Sequence, residues 1–331
     1  MALCLTGNTK MKVITFGEAL FRLVTSSGER LQNADSLNFY LGGTELNIAG
    51  NLASLGVNAS WVSALSDNLT GQMVRSRIRS LQVDMTYLQE IKNGEVGWYL
   101  MEKGSSPRPD VVFHRQASAL AREKKFCFPW KDIFHGASLF HTSGVTAGLS
   151  TDLTGEIESA MKTARSLSVL VSYDFNYRKN IWTIEEFVAR QKCLLPLIDF
   201  LFCAESDLEL FFKKNPEDKN YSNIFRGTNL KALIITKRSA DESEYGIDVV
   251  TPTENFSSKR HKIESIDRIG VGDSMAAGFI KSYLDHLNFQ KAVELAALAG
   301  AMKYGIQGDM ALLNEKELNS LLENGPRGII R

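Results

Sequence analysis

Cysteine is scarce in this chain of 331 residues, and none of its four cysteines belongs to a CxxC pair. This scarcity argues against a zinc knuckle, a redox motif and a disulfide framework. An excess of charge of either sign is also missing, because 38 lysines and arginines balance 38 aspartates and glutamates. Without a net electrostatic field, neither nucleic acid nor an anionic membrane is an expected partner. We expect a small-molecule partner instead.

Long hydrophobic runs are absent as well, since the most apolar stretches, such as LPLIDFLFCA, are short and carry acids. None of them is long enough to span a bilayer. The first ten residues, MALCLTGNTK, lack the features of a signal peptide. We therefore expect a cytoplasmic protein with an N-terminal extension at residues 1–10 and one domain over residues 11–331. A homo-oligomer is compatible with this sequence.

Short apolar runs alternate with longer amphipathic runs along the chain. Six runs rich in β-branched or aromatic residues are typical of buried strands: MKVITFG, ASWVSAL, ASLFHTSG, LSVLVSYDFN, DFLFCA and KALIITK. Four runs between them have apolar residues at helical spacing: TELNIAGNLASLG, TGQMVRSRIRSL, LTGEIESAMKTARSL and TIEEFVARQKCLLPLI. This alternation predicts an α/β fold in which helices cover both faces of a parallel sheet.

Two segments, at about residues 19–43 and 87–118, have a different pattern. They alternate polar and apolar residues and contain no long helical run. Antiparallel strands with one face in water have this pattern. We therefore predict a small β-sheet inserted into the α/β domain, where it would act as a lid.

The stretch DRIGVGDSMAAGF places two glycines and an acid at the start of an apolar run with helical spacing. A glycine-rich turn before a helix leaves backbone N–H groups free to bind a phosphate or a developing anion. Gly270, Val271 and Gly272 are the candidate donors. Asp273 is either an N-cap that holds the first turn or a general base that takes the proton of an alcohol.

This stretch resembles the second signature of the ribokinase, or PfkB, family of carbohydrate kinases, D-[TP]-x-G-A-G-D. The earlier stretch LGGTELNIAGNLASLG resembles the first signature of the same family, and the resemblance extends from about residue 12 to residue 309. It implies a ribokinase-like three-layer α/β/α sandwich with a mostly parallel central sheet and a small β-sheet lid. It also implies ATP and Mg²⁺ as cofactors, a monovalent cation as an option, Asp273 as the general base and the Gly270–Gly272 backbone as an anion hole.

The stretch DFNYRKNIW resembles the 2-keto-3-deoxygluconate kinase branch of that family. The resemblance implies that a sugar acid is phosphorylated at its C6 hydroxyl. An arginine can bind a carboxylate through a two-pronged pair, which a neutral sugar does not require. Arg178 and Arg115 match the two arginines of the branch, and Tyr99 matches its sugar-contacting tyrosine. Arg178 could instead cap a helix or pair with Asp174, and Tyr99 could belong to the core of the lid.

Three further positions match the substrate site of the branch. Gly43 lies where a side chain would crowd a ligand. Asn47 is either a helix cap or a ligand of a sugar hydroxyl. Asp309 is either an acid of the substrate pocket or an ordinary turn aspartate.

Several positions depart from the family pattern. His114 replaces a tyrosine of the branch, and Val271 replaces the alanine of the second signature. Lys237 matches the lysine of a K-x-G-x-x-G nucleotide loop, but Ser239 replaces its first glycine and the acidic run DESE follows. The family's N-x-x-E becomes Ala204 and Asp207, so Asp207 is the candidate to hold magnesium through water.

These departures leave other functions open. A fructokinase-like or other PfkB sugar kinase is one alternative. The other is a non-catalytic carbohydrate-binding relative whose nucleotide loop has degraded.

Overall fold

Strands and helices alternate along the part of the chain that the computed structural model describes, residues 11–103, 111–213 and 221–325. The strands are β1 Lys12–Phe16, β2 Leu20–Val24, β3 Asn38–Gly42, β4 Asn58–Ser66, β5 Leu88–Ile91, β6 Gly97–Met101, β7 Val111–His114, β8 Ala137–Ser143, β9 Leu170–Asp174, β10 Phe200–Ala204, β11 Ala232–Arg238, β12 Glu244–Val250, β13 Asn255–Ser257 and β14 His261–Lys262. The helices are α1 Thr44–Ser54, α2 Leu69–Ser80, α3 Ala119–Arg122, α4 Trp130–Ile133, α5 Gly144–Ala147, α6 Thr151–Ser166, α7 Ile184–Leu194, α8 Glu205–Phe212, α9 Ser222–Phe225, α10 Val271–His286, α11 Phe289–Tyr304 and α12 Glu315–Asn324. The extension predicted at residues 1–10 lies outside the described residues.

A large sheet with the order β13-β12-β11-β10-β9-β8-β1-β4-β5 forms the middle layer, and β14 pairs with β12. All pairs from β11 to β5 are parallel, while β12 to β14 add an antiparallel edge. The six strands predicted from short apolar runs are confirmed as β1, β4, β8, β9, β10 and β11. The antiparallel edge was not predicted.

Helices cover both faces of this sheet because successive strand residues point to opposite sides. Val13 packs in a core with α1, α2, α10 and α11, whereas its neighbour Ile14 packs in a second core with α6, α7 and α8. Leu233 and Ile234 on β11 divide between the two cores in the same way. The predicted α/β/α sandwich with a mostly parallel sheet is therefore confirmed.

A second sheet, with the order β3-β2-β6-β7, lies apart from the large one and corresponds to the predicted lid. Its outer pairs are antiparallel, but β2 and β6 pair in parallel. The alternating pattern of these segments predicted antiparallel strands only. The two hairpin-like segments come from separate insertions, so no tight turn forces the strands at their junction to run in opposite directions. The segment at 87–118 also contributes β5 to the large sheet rather than to the lid.

Helices α10 and α11 form a close pair beside the large sheet. A Cβ on Gly278 would lie 3.1 Å from the Cα of Ala296, so glycine permits this approach. The small residues of SMAAGF thus serve contact with a neighbouring helix as well as with the sheet. Among the described residues, no helix is both long enough and apolar enough to cross a membrane.

Candidate active site

The glycine turn at Gly270 leads into α10 and packs against the backbone of the later loop that contains Asp309. Gly270 caps the helix with a φ of 83°, in the left-handed region that glycine adopts readily. A Cβ at this position would lie 1.8 Å from the backbone oxygen of Asp309. Both the backbone angle and the close contact therefore require glycine here.

Backbone donors are free in the first turn of this helix. The first helical hydrogen bond runs from Ser274 N to Gly270 O, at 2.9 Å. Among the described residues, the N–H groups of Gly270, Gly272 and Asp273 have no acceptor, and no atom lies within 4 Å of where a Cβ on Gly272 would be. The positive end of α10 can thus donate to an anion that approaches over Gly272.

The predicted third donor, Val271, differs from these three. Its N–H lies 3.4 Å from the carbonyl of Arg268, a weak contact that turns it toward the preceding loop. The valine side chain is buried in the core with α1 and α11. Val271 therefore anchors the turn while its neighbours leave their N–H groups free.

The carboxyl group of Asp273 is buried directly below this turn. Its Oδ2 accepts a hydrogen bond of 2.6 Å from Nδ2 of Asn47, which lies on α1. Burial raises the pKa of Asp273 to about 7, and the nearby acids Glu45 and Asp309 add to this rise, while the hydrogen bond from Asn47 and the charge of Arg178 oppose it. A carboxyl group with this pKa can accept a proton near neutral pH.

The connection from β3 to α1 is packed tightly under the same site. Gly43 has a φ of 135°, and a Cβ there would lie 2.0 Å from the backbone oxygen of Glu18. A Cβ on Gly42 would lie 2.3 Å from Oδ2 of Asp309. Because Asn47 N donates to Gly43 O at 2.7 Å, this junction also fixes the start of the helix that carries Asn47.

A buried arginine ties the lid to the region around α10. Arg22 on β2 donates to both carboxylate oxygens of Asp267, at 3.1 and 2.7 Å, and its Nε lies 2.8 Å from Oδ1 of Asp309. The hydroxyl of Tyr99, on the neighbouring strand β6, donates to Oδ2 of Asp309 at 3.4 Å. Burial raises the pKa of Asp309 to about 6, although Arg22 lowers it. Tyr99 and Asp309 therefore contact each other.

Arg115 lies at the lid side of the site, but an acid holds it. Its Nε and Nη2 donate to Oε2 of Glu18 at 3.1 and 2.7 Å, and both side chains are buried. Glu18 lies two residues after the end of β1. The neighbouring His114 is exposed, lies 3.1 Å from Glu95 and stacks on the ring of Trp98. The charge of Arg115 is thus balanced within the protein.

Arg178, in the loop after β9, is exposed and makes no ion pair with any described residue. The predicted alternative, a pair with Asp174, does not form among these residues. A groove of about 1120 Å³ lies between β7 and the loop of residues 179–181, and its described lining contains Arg115, Arg122 and Lys179 but no acid. This composition suits an anionic ligand.

Two more carboxyl groups, those of Asp174 and Asp207, belong to this region. Burial raises the pKa of Asp174 well above its usual value, and the charges of Asp207 and Asp273 add to the rise. Asp207 accepts a hydrogen bond of 2.9 Å from Ala204 N and so caps α8, and burial raises its pKa too. Among the described residues, no three acids, histidines or cysteines form a direct metal site. The carboxyl groups of Asp174 and Asp207 fit a Mg²⁺ ion that is held largely through water and phosphate oxygens.

The predicted nucleotide residues lie at the end of β11. The ammonium of Lys237 pairs with Glu205 and lies 3.6 Å from Asp248 Oδ2. Ser239 begins the tip of the hairpin between β11 and β12, and its hydroxyl donates to Oδ1 of Asp241 at 2.6 Å. The acidic run DESE therefore forms part of a hydrogen-bonded turn. The hydrogen bonds of this turn lower the pKa of Asp241 to about 2.

Four charged residues of this region were not singled out from the sequence. Glu45 lies buried at the start of α1 and accepts hydrogen bonds from Ser143 and Thr146, at 2.6 and 2.7 Å. Glu45 lies within the first family signature, LGGTELNIAGNLASLG, and Asp267 is the first residue of the second, DRIGVGD. The two signatures therefore contained a signal for these two residues. The remaining two, Arg22 and Glu18, had no signal beyond their places in and before a lid strand.

Comparisons with known proteins agree with one another. A family model described as pfkB family carbohydrate kinase matches residues 10–316. A 2-dehydro-3-deoxygalactonokinase from Haloferax volcanii is 28% identical over 97% of this chain and 99% of its own length. A 2-dehydro-3-deoxygluconokinase from Bacillus subtilis is 25% identical over 93% of this chain and 94% of its own length. The crystal structure of a 2-dehydro-3-deoxygluconokinase from Thermotoga maritima is 33% identical and has a TM-score of 0.89, with 96% of this chain and 99% of that one covered.

Proposed function

This chain belongs to the pfkB family of carbohydrate kinases, and we propose that it phosphorylates the C6 hydroxyl of a sugar acid, 2-keto-3-deoxygluconate, with ATP. The observation that carries the proposed mechanism is the buried Asp273 carboxyl group beside free backbone donors. The family fixes the reaction class, a phosphoryl transfer to a sugar. The substrate and the roles of single residues are our inference.

In the proposed reaction, Asp273 accepts the proton of the C6 hydroxyl. The hydroxyl oxygen then forms a bond to the terminal phosphorus of ATP, and the bond from that phosphorus to the oxygen of ADP breaks. A general base works best when its pKa is close to the working pH. The pKa of Asp273, raised to about 7 by burial, supports this role.

The free N–H groups at the start of α10 would stabilise the charge on the transferred phosphoryl group. We assign this donation to Gly270, Gly272 and Asp273, with the dipole of the helix behind them. We assign Val271 to the anchoring of the turn. The open space over Gly272 supports this division.

We propose that Lys237 and Ser239 lie beside the nucleotide and that Asp207 holds Mg²⁺ through water, with Asp174 next to it. When bound, Mg²⁺ neutralises phosphate charge and orients the phosphates for transfer. The raised pKa of Asp174, which burial and the neighbouring acids cause, supports this assignment because a cation would relieve their repulsion.

Arg178 would bind the carboxylate of the sugar acid. It is the arginine of the predicted pair that forms no ion pair with a described residue, and its chain neighbour Lys179 lines the cationic groove together with Arg122. Arg115 would contribute through its place in the lid rather than as a free charge, since it pairs with Glu18. The names of the relatives from Haloferax volcanii, Bacillus subtilis and Thermotoga maritima support a keto-deoxy sugar acid as the substrate.

Gly43, Asn47, Tyr99 and Asp309 would complete the sugar pocket. Oδ1 of Asn47 has no partner among the described residues and is available to a substrate hydroxyl. Tyr99 and Asp309 contact each other and would bind a hydroxyl together. Gly43 would contribute its backbone to the pocket, since the space of its missing side chain is filled by the Glu18 carbonyl.

The test is a coupled assay of ADP release with 2-keto-3-deoxygluconate, 2-keto-3-deoxygalactonate and fructose. For wild type, Arg178→Lys and Arg178→Met, we expect kcat/KM for the acids to fall in that order, by about 10- to 1000-fold for the Met variant. Fructose should be almost indifferent to these changes. Arg226→Met, an exposed arginine outside the site, is the control. A wild-type preference for fructose, or equal losses for fructose and the acids, contradicts the sugar-acid assignment and favours a fructokinase-like enzyme.

We also propose that the protein is a cytoplasmic homo-oligomer. The described cysteines, Cys127, Cys193 and Cys203, are all free thiols, as in reducing compartments. Strand β7 is an edge strand of the lid that exposes Val111, Val112 and Phe113, and exposed apolar edges commonly pair with another chain. Light scattering at several protein concentrations tests the oligomer.

A further inference from the structure

A lysine ammonium is buried near the end of α11, and the proposed reaction does not use it. Lys303 has no exposed surface. Its Nζ donates to the backbone oxygens of Asp267, at 3.0 Å, and Ile306, at 2.7 Å. Both partners recorded among the described residues are carbonyl oxygens rather than carboxylates. A buried ammonium with this environment needs a reason, because burying a charge is costly.

Three carboxyl groups near the ammonium favour a cation at this position. Burial lowers the pKa of Lys303 and the charge of Arg22 adds to this fall, whereas the carboxyl groups of Asp267, Asp309 and Asp273 oppose it. The guanidinium of Arg22 binds the Asp267 carboxylate through two hydrogen bonds. Cations thus contact both the side chain and the backbone of Asp267.

The two carbonyls belong to the segments that build the turn before α10. Asp267 begins the loop that leads into Gly270. Ile306 lies in the turn that leads to Asp309, whose backbone oxygen is packed against Gly270. The Asp267 N–H donates to the Tyr304 carbonyl, so further hydrogen bonds join the same segments. The ammonium of Lys303 therefore bridges the two segments that hold the turn in place.

Backbone carbonyl oxygens that converge in a buried polar site are the typical ligands of a monovalent cation. The family resemblance made such a cation an option for this chain. Here Lys303 already contacts the carbonyls of Asp267 and Ile306, so these donor atoms do not fit a free ion in addition. We propose that the ammonium of Lys303 is a built-in cation that positions the Gly270 turn, so that phosphoryl transfer requires no added monovalent cation.

This inference rests on the proposed kinase activity, but its first test does not. The thermal unfolding midpoint of the ligand-free protein is measured in KCl, NH4Cl and tetramethylammonium chloride at equal ionic strength. Wild type should unfold at the same temperature in all three salts, since its site is filled. Its kcat and KM in KCl and tetramethylammonium chloride should agree within about twofold, because the positioning cation is covalently attached.

Lys303→Ala removes the ammonium and leaves space for an ion. In tetramethylammonium chloride its kcat should fall about 10- to 100-fold, the effect of leaving buried carbonyls without partners near the turn, with a smaller change in KM. K⁺ or NH4⁺ should restore much of the kcat and raise the unfolding midpoint. Lys303→Met fills the space with an apolar chain and should show the loss without the rescue.

Lys281→Ala is the matched control, because Lys281 is also a largely buried lysine but pairs with the side chains of Asp285 and Glu315. Its unfolding midpoint should drop without a response specific to K⁺ or NH4⁺. The inference is wrong if wild type needs K⁺ for stability or activity, or if Lys303→Ala responds to the salts as Lys281→Ala does. If Lys303→Ala does not fold, the wild-type comparison alone decides. A protein that phosphorylates none of the sugars refutes the proposed function, while the unfolding midpoints still test the role of Lys303.

Discussion

Replacing Asp273 by asparagine separates the chemical role of this carboxyl group from its structural role. Asparagine keeps the size of the side chain and an oxygen that can accept the 2.6 Å hydrogen bond from Asn47. It cannot take a proton from a substrate hydroxyl. We therefore expect kcat for the sugar acid to fall about 100- to 10,000-fold, the usual contribution of a general base.

The same replacement should stabilise the protein above neutral pH. Burial raises the pKa of Asp273 from 3.8 to about 7. Between these values the folded state binds more protons than the unfolded state, so the free energy of unfolding falls as the pH rises, and the loss is complete above pH 7. At about 1.4 kcal/mol for each pKa unit, the loss amounts to at most about 4 kcal/mol. Because asparagine does not titrate, Asp273→Asn should exceed wild type by up to this amount at pH 8 and match it near pH 4.

Urea unfolding at pH 4, 6 and 8, together with kcat at pH 8, measures both effects. Asp152→Asn is the control, since Asp152 is an exposed acid in the first turn of another helix, α6. It should change the free energy of unfolding by less than about 1 kcal/mol at each pH. A stability difference between Asp273→Asn and wild type that does not grow with pH refutes the electrostatic reasoning. A kcat close to wild type shows that Asp273 is not the general base.

Two further perturbations probe the contacts around this carboxyl group. Arg22→Met leaves two buried carboxyl groups without their partner, so urea unfolding should show a loss of about 3 to 5 kcal/mol, and the KM for the sugar should rise as the lid loosens. A loss below about 1 kcal/mol, the usual value of an exposed ion pair, contradicts the buried network. Asn47→Ala removes the hydrogen bond that lowers the pKa of Asp273, so the acidic limb of the kcat–pH profile should move to higher pH. An unchanged limb means that another group controls the profile.

Much of the fold was predictable because its signals are local. Six strands of the large sheet are short apolar runs, and α1, α2, α6 and α7 follow the predicted helical spacing. The pairing of β2 with β6 and the transfer of β5 to the large sheet had no such signal. Pairing depends on which strand edges meet after the chain has folded, and periodicity does not encode this.

The turn before α10 was predictable for the same reason, since DRIGVGD is a continuous motif. The network around it was not. Arg22 and Asp267 are separated by 245 positions in the sequence, and the contact forms only when the lid lies over the large domain. The environment of Lys303 had no sequence signal either, because the two carbonyl oxygens that contact its Nζ meet only in the folded chain.

The ion pair between Glu18 and Arg115 changes how the arginines of this chain are interpreted. From the sequence, two arginines, Arg115 and Arg178, were expected to bind one substrate carboxylate. In the structure, Oε2 of Glu18 accepts both donors of Arg115, so displacing it would leave a buried acid without a partner. A substrate carboxylate gains more from Arg178, which forms no direct ion pair with a described acid, although its charge lowers the pKa values of Asp174, Asp207 and Asp273. Selectivity for an acid should therefore depend on Arg178, whereas mutation of Arg115 should disturb acids and neutral sugars alike through the lid.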